Sequence, residues 1–510
     1  MKWFCLIFLC ALNLAECYKI LVVFPAAAPS HFILGNALGR GLAIAGHEVT
    51  VLSPFQDKNP PKNYREVVLT GFIEEKSEAM PFSVFDMEHM HPWLSVYLMN
   101  HFGTVAVNKT FEHPNFKKLL NEKFDLIIIE QFKNEAMKVL SCHFNAPLVM
   151  FSTIGANVWV NTDTANPSPP SYVPDLFLSY SSKMNLWQRT FNSLTKLFQV
   201  LNNNLVFFPS QRKFVQQYFP KCADYEFNNV SLYLLNSHES TSEPVPLVPS
   251  MINIGGFHIN PPKELPKDLK EYLDNAKDGV IYFSMGSNIP FSQVKPEIKD
   301  TLIKVLGKLK QKVLWKYDED TLHGKPDNVK LGKWFPQSDI LAHPNVKLFI
   351  THGGLLSTLE TIYHGVPVLT LPVFADQKLN AARMETLGYG VKLTFSALTE
   401  EDLTEALNKL LNDPKYRENA KLRSKLFHDR PIKPMDEMVY WVEYIVRHKG
   451  APHLQVAGKH LPWYQYLLLD VVLLVLLIVT APIALLYIIC KKMCCSGGDK
   501  KKQKKKSKKE

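Results

Sequence analysis

Cysteine is scarce in this chain of 510 residues: there are eight, with Cys5, Cys10 and Cys17 at the very start and Cys490, Cys494 and Cys495 near the end. Only Cys142 and Cys222 remain for the body. They can pair, but two residues make no disulfide framework, and nothing recurs at metal-ligand spacing. A net charge is also nearly missing from the body. The formal net charge is +10, yet ten lysines against Asp499 and Glu510 follow position 490 and leave only +2 for everything before them. That removes nucleic acid as an expected partner. With 46% hydrophobic and 21% charged residues the composition is globular, which excludes disordered and collagenous chains. At 58.2 kDa two to three folded units are expected.

Long apolar runs are confined to the two ends. Met1-Lys2-Trp3 and the run Phe4 to Leu14 form a basic start and a stretch too short to span a bilayer, and Ala15-Glu16-Cys17 supplies a cleavage site before Tyr18. Val471 to Cys490 is uncharged and matches the thickness of a bilayer core, so one transmembrane helix is expected there. Trp463, Tyr464 and Tyr466 form an interfacial belt on one side and the lysines follow on the other, which places the tail in the cytosol and the body in the lumen. Lys506 and Lys508, five and three residues from the carboxyl terminus, resemble cytosolic retrieval signals of endoplasmic-reticulum membrane proteins. Asn108-Lys109-Thr110 and Asn229-Val230-Ser231 have the form of glycosylation acceptors.

The body reads as two α/β halves. Ile20 to Phe24 is a buried-strand pattern, followed by a helical pattern from Phe32 to Ala45 and a second strand from His47 to Leu52. Asp125 to Glu130 and Pro147 to Phe151 continue a parallel sheet, whereas the aromatic stretch from Phe72 to Phe102 and the Pro-rich loop from Asn166 to Pro174 read as insertions. After Pro261-Pro262 the pattern restarts with strands at 280–284, 313–316, 347–350 and 367–371, and helices near 294–310 and 355–363. Two doubly wound sheets place a ligand crevice at the carboxyl ends of their strands, with residues 258–267 as the hinge.

The segment from Trp334 to Gln377 carries the chemistry. A strand ending at Ile350 turns through Thr351-His352-Gly353-Gly354 into a helix, so the backbone comes close and free N–H groups face a phosphate. Ser357 and Glu360, three apart, share one face of that helix: a hydroxyl near the phosphate and a carboxylate that accepts from ribose hydroxyls. Trp334-Phe335-Pro336-Gln337 lies upstream and Phe374-Ala375-Asp376-Gln377 downstream. Read together as W-F-P-Q, H-P, T-H-G-G-L-L-S-x-x-E, H-G-V-P and F-A-D-Q, this segment resembles the donor-binding signature of the UDP-glycosyltransferase family. Tyr282-Phe283-Ser284-Met285-Gly286-Ser287, the signal peptide and the membrane helix with its lysine tail extend the likeness over nearly the whole chain.

The resemblance implies a GT-B fold of the α/β class: two Rossmann-like doubly wound domains facing a cleft, plus one C-terminal transmembrane helix. The expected boundaries are 1–17 for the signal peptide, 18–260 for the acceptor domain, 261–450 for the UDP-sugar domain, 451–470 for a juxtamembrane segment, 471–490 for the span and 491–510 for the tail. It implies that Trp334 stacks on uracil with Gln337 beside it and that Glu360 takes the ribose hydroxyls. Ser287, His352 and Ser357, with the helix start at Gly353 and Gly354, would hold the diphosphate, and Asp376 with Gln377 the sugar. Leu355 and Leu356 depart from the polar or aromatic residues common in the family.

On the acceptor side the base is His31, which follows the first strand's loop and opens the next helix. Asp125 and Glu130 both compete to orient it. Glu130 ends its strand where Asp125 begins it, and it matches the family's aspartate with one more methylene. The expected reaction is an inverting displacement that moves a hexose, glucose by preference because no basic residue is assignable to a donor carboxylate, onto a hydroxyl of a small lipophilic acceptor. No cofactor and no metal is expected beside the UDP-sugar co-substrate; homo- or hetero-oligomers stay open. The rival from another class is a non-catalytic membrane-anchored homologue that binds or assembles, supported only by Glu130. Asp318-Glu319-Asp320 spells a metal-binding D-x-D but lies in a polar loop, and Gly35, Gly39 and Gly41 lack the spacing of a dinucleotide fingerprint. The amphipathic region from Leu186 to Phe219 is expected to be helical and to cover the acceptor pocket.

Overall fold

The computed structural model describes residues 17–74, 83–287 and 289–506, with side chains described as far as Met493. The expected signal peptide thus lies outside the described residues apart from Cys17, as do the last four residues, Lys508 among them.

The amino half is built on a seven-stranded, wholly parallel sheet in the order β3-β2-β1-β4-β5-β6-β7. Its strands are β1 (Lys19–Val23), β2 (Glu48–Ser53), β3 (Tyr64–Val68), β4 (Leu126–Glu130), β5 (Leu148–Ser152), β6 (Leu232–Leu235) and β7 (Met251–Asn253). The carboxyl half repeats the plan with six parallel strands in the order β10-β9-β8-β11-β12-β13: β8 (Val280–Ser284), β9 (Lys312–Lys316), β10 (Val329–Gly332), β11 (Val346–Thr351), β12 (Val368–Thr370) and β13 (Gly390–Lys392). Strand order reverses between β1 and β4 in one sheet and between β8 and β11 in the other, and crevices open beside such switch points. The central strands are mainly Ile, Leu, Val and Phe, with polar residues at their ends, because helices cover both faces.

Helix α1 (Pro29–Ile44) starts with Pro29, whose missing N–H costs nothing at a first helical position. The helix thus begins three residues before Phe32, where periodicity set its start, and His31 stands in its first turn. Gly35 and Gly39 face Phe24 and Tyr64 so closely that an added Cβ would sit 2.6 Å and 2.8 Å from their rings, so these glycines serve helix–sheet packing. The stretch expected as an irregular insertion holds a long helix, α2 (Pro92–Glu112). The Leu186 to Phe219 region is two helices, α3 (Leu186–Asn202) and α4 (Phe208–Tyr218), joined by a π turn at Asn203–Phe207. Leu194, Leu197, Leu201 and Leu205 are exposed there, while Asn192 and Lys196 on the same helix line a cavity. Cys142 and Cys222 form a disulfide with Cα atoms 6.1 Å apart across a sequence separation of 80.

In the carboxyl half the helices nearest the crevice are α5 (Gln337–Leu341), α6 (Leu355–His364) and α7 (Gln377–Thr386). Gly365, at φ +67°, ends α6 in the left-handed conformation that a Cβ would strain. A later helix, α8 (Pro434–Arg447), leaves this half and buries Met438, Val442 and Ile445 against Ile20, Val22 and Ile128 of the amino sheet. The body up to Gln455 is one compact unit and residues from Val456 onward form another. In the latter, α9 (Leu469–Lys506) contains a 25-residue stretch, Leu469–Met493, long and apolar enough to cross a membrane.

Candidate functional site

At the switch point of the amino sheet, β4 runs apolar until its last residue, Glu130, which is fully buried. An isolated carboxylate there would be costly, and both oxygens are used. Oε1 accepts the backbone N–H of Ala26 in the loop after β1 at 2.9 Å, and Oε2 meets His31 Nδ1 at 2.7 Å. With its proton on Nδ1, the imidazole keeps a lone pair on Nε2. Phe132 packs edge-on against the ring at 4.6 Å and fixes its plane. Asp125 lies at the other end of β4 and accepts the Lys19 N–H at 2.7 Å near the surface. Of the two rival carboxylates, only Glu130 reaches His31.

At the second switch point, β8 and β11 end side by side at Ser284 and Thr351. Beyond them His352 lies between two glycines: a Cβ on Gly286 would approach its Cε1 to 2.6 Å and one on Gly354 its Nε2 to 2.5 Å. Gly286 and Gly353 take φ values of +76° and +81°. Burial, and then the Lys316 charge, push the His352 pKa down to about 4, so this imidazole is neutral. Lys316 ends β9 and donates from Nζ to the Gly286 carbonyl at 2.9 Å. It escaped the motif search because a lysine after Val313-Leu314-Trp315 reads as a solvated strand end; its place at the carboxyl end of a strand bordering the crevice was the available signal.

The remaining candidates cluster around α6. Trp334 is 72% exposed, with its indole face open, and Ser287 is exposed as well. Gln337 Nε2 bridges Glu360 Oε2 at 2.5 Å and Ser357 Oγ at 3.0 Å. The resemblance sets Gln337 beside uracil and Ser357 at the phosphates; here Gln337 is bonded to both Ser357 and Glu360. Burial raises the Glu360 pKa to about 7 against the opposing Gln337 hydrogen bond. Gln377 turns its Oε1 to the N–H groups of Val373 and Phe374 at 2.8 and 3.0 Å, which shapes the loop that presents Asp376. Burial raises the Asp376 carboxyl, while the Asn380 hydrogen bond, the Leu355 N–H and the His31 charge pull the other way. The His31 charge thus acts on Asp376 across the two halves. Asn380, unforeseen in the sequence, ties Asp376 Oδ2 at 2.7 Å to the Gly353 carbonyl at 2.9 Å.

Among the described residues no group of three or more His, Cys, Asp or Glu is arranged to hold a metal ion. The D-x-D acids are engaged with the protein: Asp318 accepts from Ser292 N–H at 3.0 Å, Glu319 from Tyr317 at 3.1 Å, and Asp320 pairs with Lys333 at 2.8 Å.

Residues 19–507 match the family described as "UDP-glucoronosyl and UDP-glucosyl transferase". The chain belongs to this family. It is 38% identical over 484 residues to UDP-glycosyltransferase UGT5 of Dactylopius coccus, covering 90% of this chain and 89% of that one. It is 31% identical over 509 residues to UDP-glucuronosyltransferase 2B7 of Homo sapiens, with 92% and 93% covered. The crystal structure of CalG4, the calicheamicin glycosyltransferase, shares the fold at a TM-score of 0.61 and 17% identity, with 85% of this chain and 99% of that one covered. The two Rossmann-like sheets are thus those of a GT-B glycosyltransferase, and membership of the UDP-glycosyltransferase family supports sugar transfer from a UDP-sugar.

Proposed function

We propose that this UDP-glycosyltransferase moves glucose, with inversion and without a metal, from UDP-glucose to a hydroxyl of a small lipophilic acceptor. The observation that carries this is the contact of His31 Nδ1 with the buried Glu130 Oε2 at 2.7 Å, which leaves the Nε2 lone pair to take a proton. His31 Nε2 takes the acceptor's proton as its oxygen attacks the anomeric carbon, and the Glu130 carboxylate stabilises the imidazolium that forms. The bond from the anomeric carbon to the UDP oxygen breaks, and the charge that develops there is met by the N–H groups at the start of α6 and by Lys316. Trp334 stacks on uracil, Glu360 accepts from ribose hydroxyls, and Asp376 with the Gln377 amide nitrogen grips the sugar.

An uncharged hexose is favoured because Lys378, next in sequence to Gln377, is committed to the Glu88 carbonyl. Incubating membranes that contain the protein with a panel of UDP-sugars and phenolic or alcohol acceptors, read by mass, tests this. Glucoside alone is the expected product, and transfer only from UDP-glucuronate overturns the donor assignment. Turnover that survives purification excludes a role confined to binding.

The span in α9 and the lysine tail support a single-pass protein of the endoplasmic-reticulum membrane with its body in the lumen. Replacing Lys506 and Lys508 by serine lets the still membrane-anchored protein leave the endoplasmic reticulum with activity per molecule unchanged; reticular staining that persists assigns retention elsewhere.

A further inference from the structure

The amino half reaches the carboxyl half through a short segment, 83–90, that the transfer reaction does not use. Val84 and Phe85 pack against the apolar core of the carboxyl sheet, and the Phe85 ring stacks on Phe395 at 5.4 Å. Glu88, only 7% exposed, turns both carboxylate oxygens to backbone amides of that half: Oε1 accepts from Phe395 N–H at 2.8 Å and Oε2 from Ser396 N–H at 2.9 Å. His89 Nε2 meets Ser396 Oγ at 2.7 Å. The Glu88 carbonyl accepts from Lys378 Nζ, and Ser179, also of the amino half, donates its hydroxyl to the Lys378 carbonyl at 3.3 Å. Charge-assisted bonds from a buried carboxylate to two amides are strong, and all of these contacts are lost when the halves separate. Lys378 directly follows Gln377, so the amino half grips the first turn of α7, where the sugar-binding pair begins.

We infer that segment 83–90 is a clasp that couples closure of the cleft to the placement of Asp376 and Gln377, with Glu88 as a positioning residue for the donor sugar; this rests on the UDP-sugar reading above. With the clasp made, the start of α7 is fixed to the half that carries His31, and the anomeric carbon is enclosed. With it broken, water competes with the acceptor. A water oxygen attacks the anomeric carbon, His31 takes the proton, UDP leaves, and free sugar is released. UDP alone does not sense the clasp, because Trp334 and Glu360 belong to the carboxyl half.

The test compares full-length wild type, Glu88→Ala, Glu88→Gln and Ser179→Ala, using the donor and acceptor found in the panel assay. For Glu88→Ala, UDP affinity stays within about twofold, KM for the UDP-sugar rises about tenfold as the closed state is depopulated, and the ratio of free sugar to glycoside rises about tenfold as water enters. Glu88→Gln, which keeps one acceptor, falls between. Ser179→Ala moves KM and the ratio in the same direction by less and replaces Glu88→Ala should that variant not fold. A folding defect alone lowers the amount of active enzyme but moves neither KM nor the ratio. Unchanged KM and ratio in variants of an active wild type overturn the clasp. If the wild type neither binds nor uses a UDP-sugar, the functional reading fails, and the clasp is judged by amide exchange of residues 377–386. That exchange must quicken in Glu88→Ala, and exchange equal to wild type overturns it.

Discussion

His31 and His352 each stand beyond the carboxyl end of a strand at a switch point, one per sheet, and they differ in what touches the ring. Around His31 the neighbour is a carboxylate with both oxygens spoken for, so a proton can be accepted at Nε2 and its charge compensated. Around His352 the neighbours are two glycines and the Thr351 hydroxyl, 3.5 Å from Nδ1, and burial with the Lys316 charge lowers the pKa to about 4. One ring is equipped to change charge and the other to stay neutral while donating or accepting a hydrogen bond. The same strand order thus supports opposite electrical roles, because the fold supplies the position and the adjoining side chains supply the chemistry.

The sharpest way to break this contrast is His31→Ala, which lowers turnover by about a hundredfold or more while leaving UDP affinity nearly untouched. Full activity in steady-state assays removes the base from His31. Next comes the carboxylate: Glu130→Gln lowers turnover well beyond Asp125→Asn, whose partner is the Lys19 N–H at the opposite end of the strands. The reverse order in folded variants, checked by circular dichroism, breaks the assignment of the switch point. His352→Ala weakens UDP by about tenfold through the lost phosphate contact; calorimetry that finds equal affinity leaves His352 as a mere spacer between glycines.

The smallest effect is one of pH. Glu360 titrates near 7 in the free protein, since burial disfavours its charge. Ribose hydroxyls donate to the carboxylate and so favour its ionised form, which means that binding releases a proton and affinity grows with pH. Affinity for UDP-glucose rises about threefold from pH 6 to 8, and Glu360→Gln flattens the profile. A wild-type profile that falls over this range gives the ribose another partner. For stability the same shift acts in the opposite sense: the raised acid favours the fold at low pH, and this contribution is lost between the ordinary carboxylate value and about 7.

Strands flanked by helices on both faces were readable as apolar runs, which is why β1, β4, β8 and β11 stood out and the two crevices with them. Edge strands did not. Tyr64-Arg65-Glu66 in β3 and Gly390-Val391-Lys392 in β13 mix charge and glycine because one side meets solvent. Residues within the donor motif were legible through spacing, and Glu130 through its position at the end of a strand. Lys316 and Asn380 were not, since each acts through a backbone carbonyl that any sequence provides. Glu88 is harder still: its partners lie 307 and 308 residues away and are amides, which leave no trace in residue identity.

The bond between Cys142 and Cys222 has a practical consequence for anyone making this protein. Loop closure over 80 residues restrains the unfolded chain by about 4 to 5 kcal/mol, a large share of the stability of an ordinary domain. An oxidising medium is therefore the setting in which the body keeps this restraint, and a bacterial cytosol, which holds thiols reduced, forfeits it.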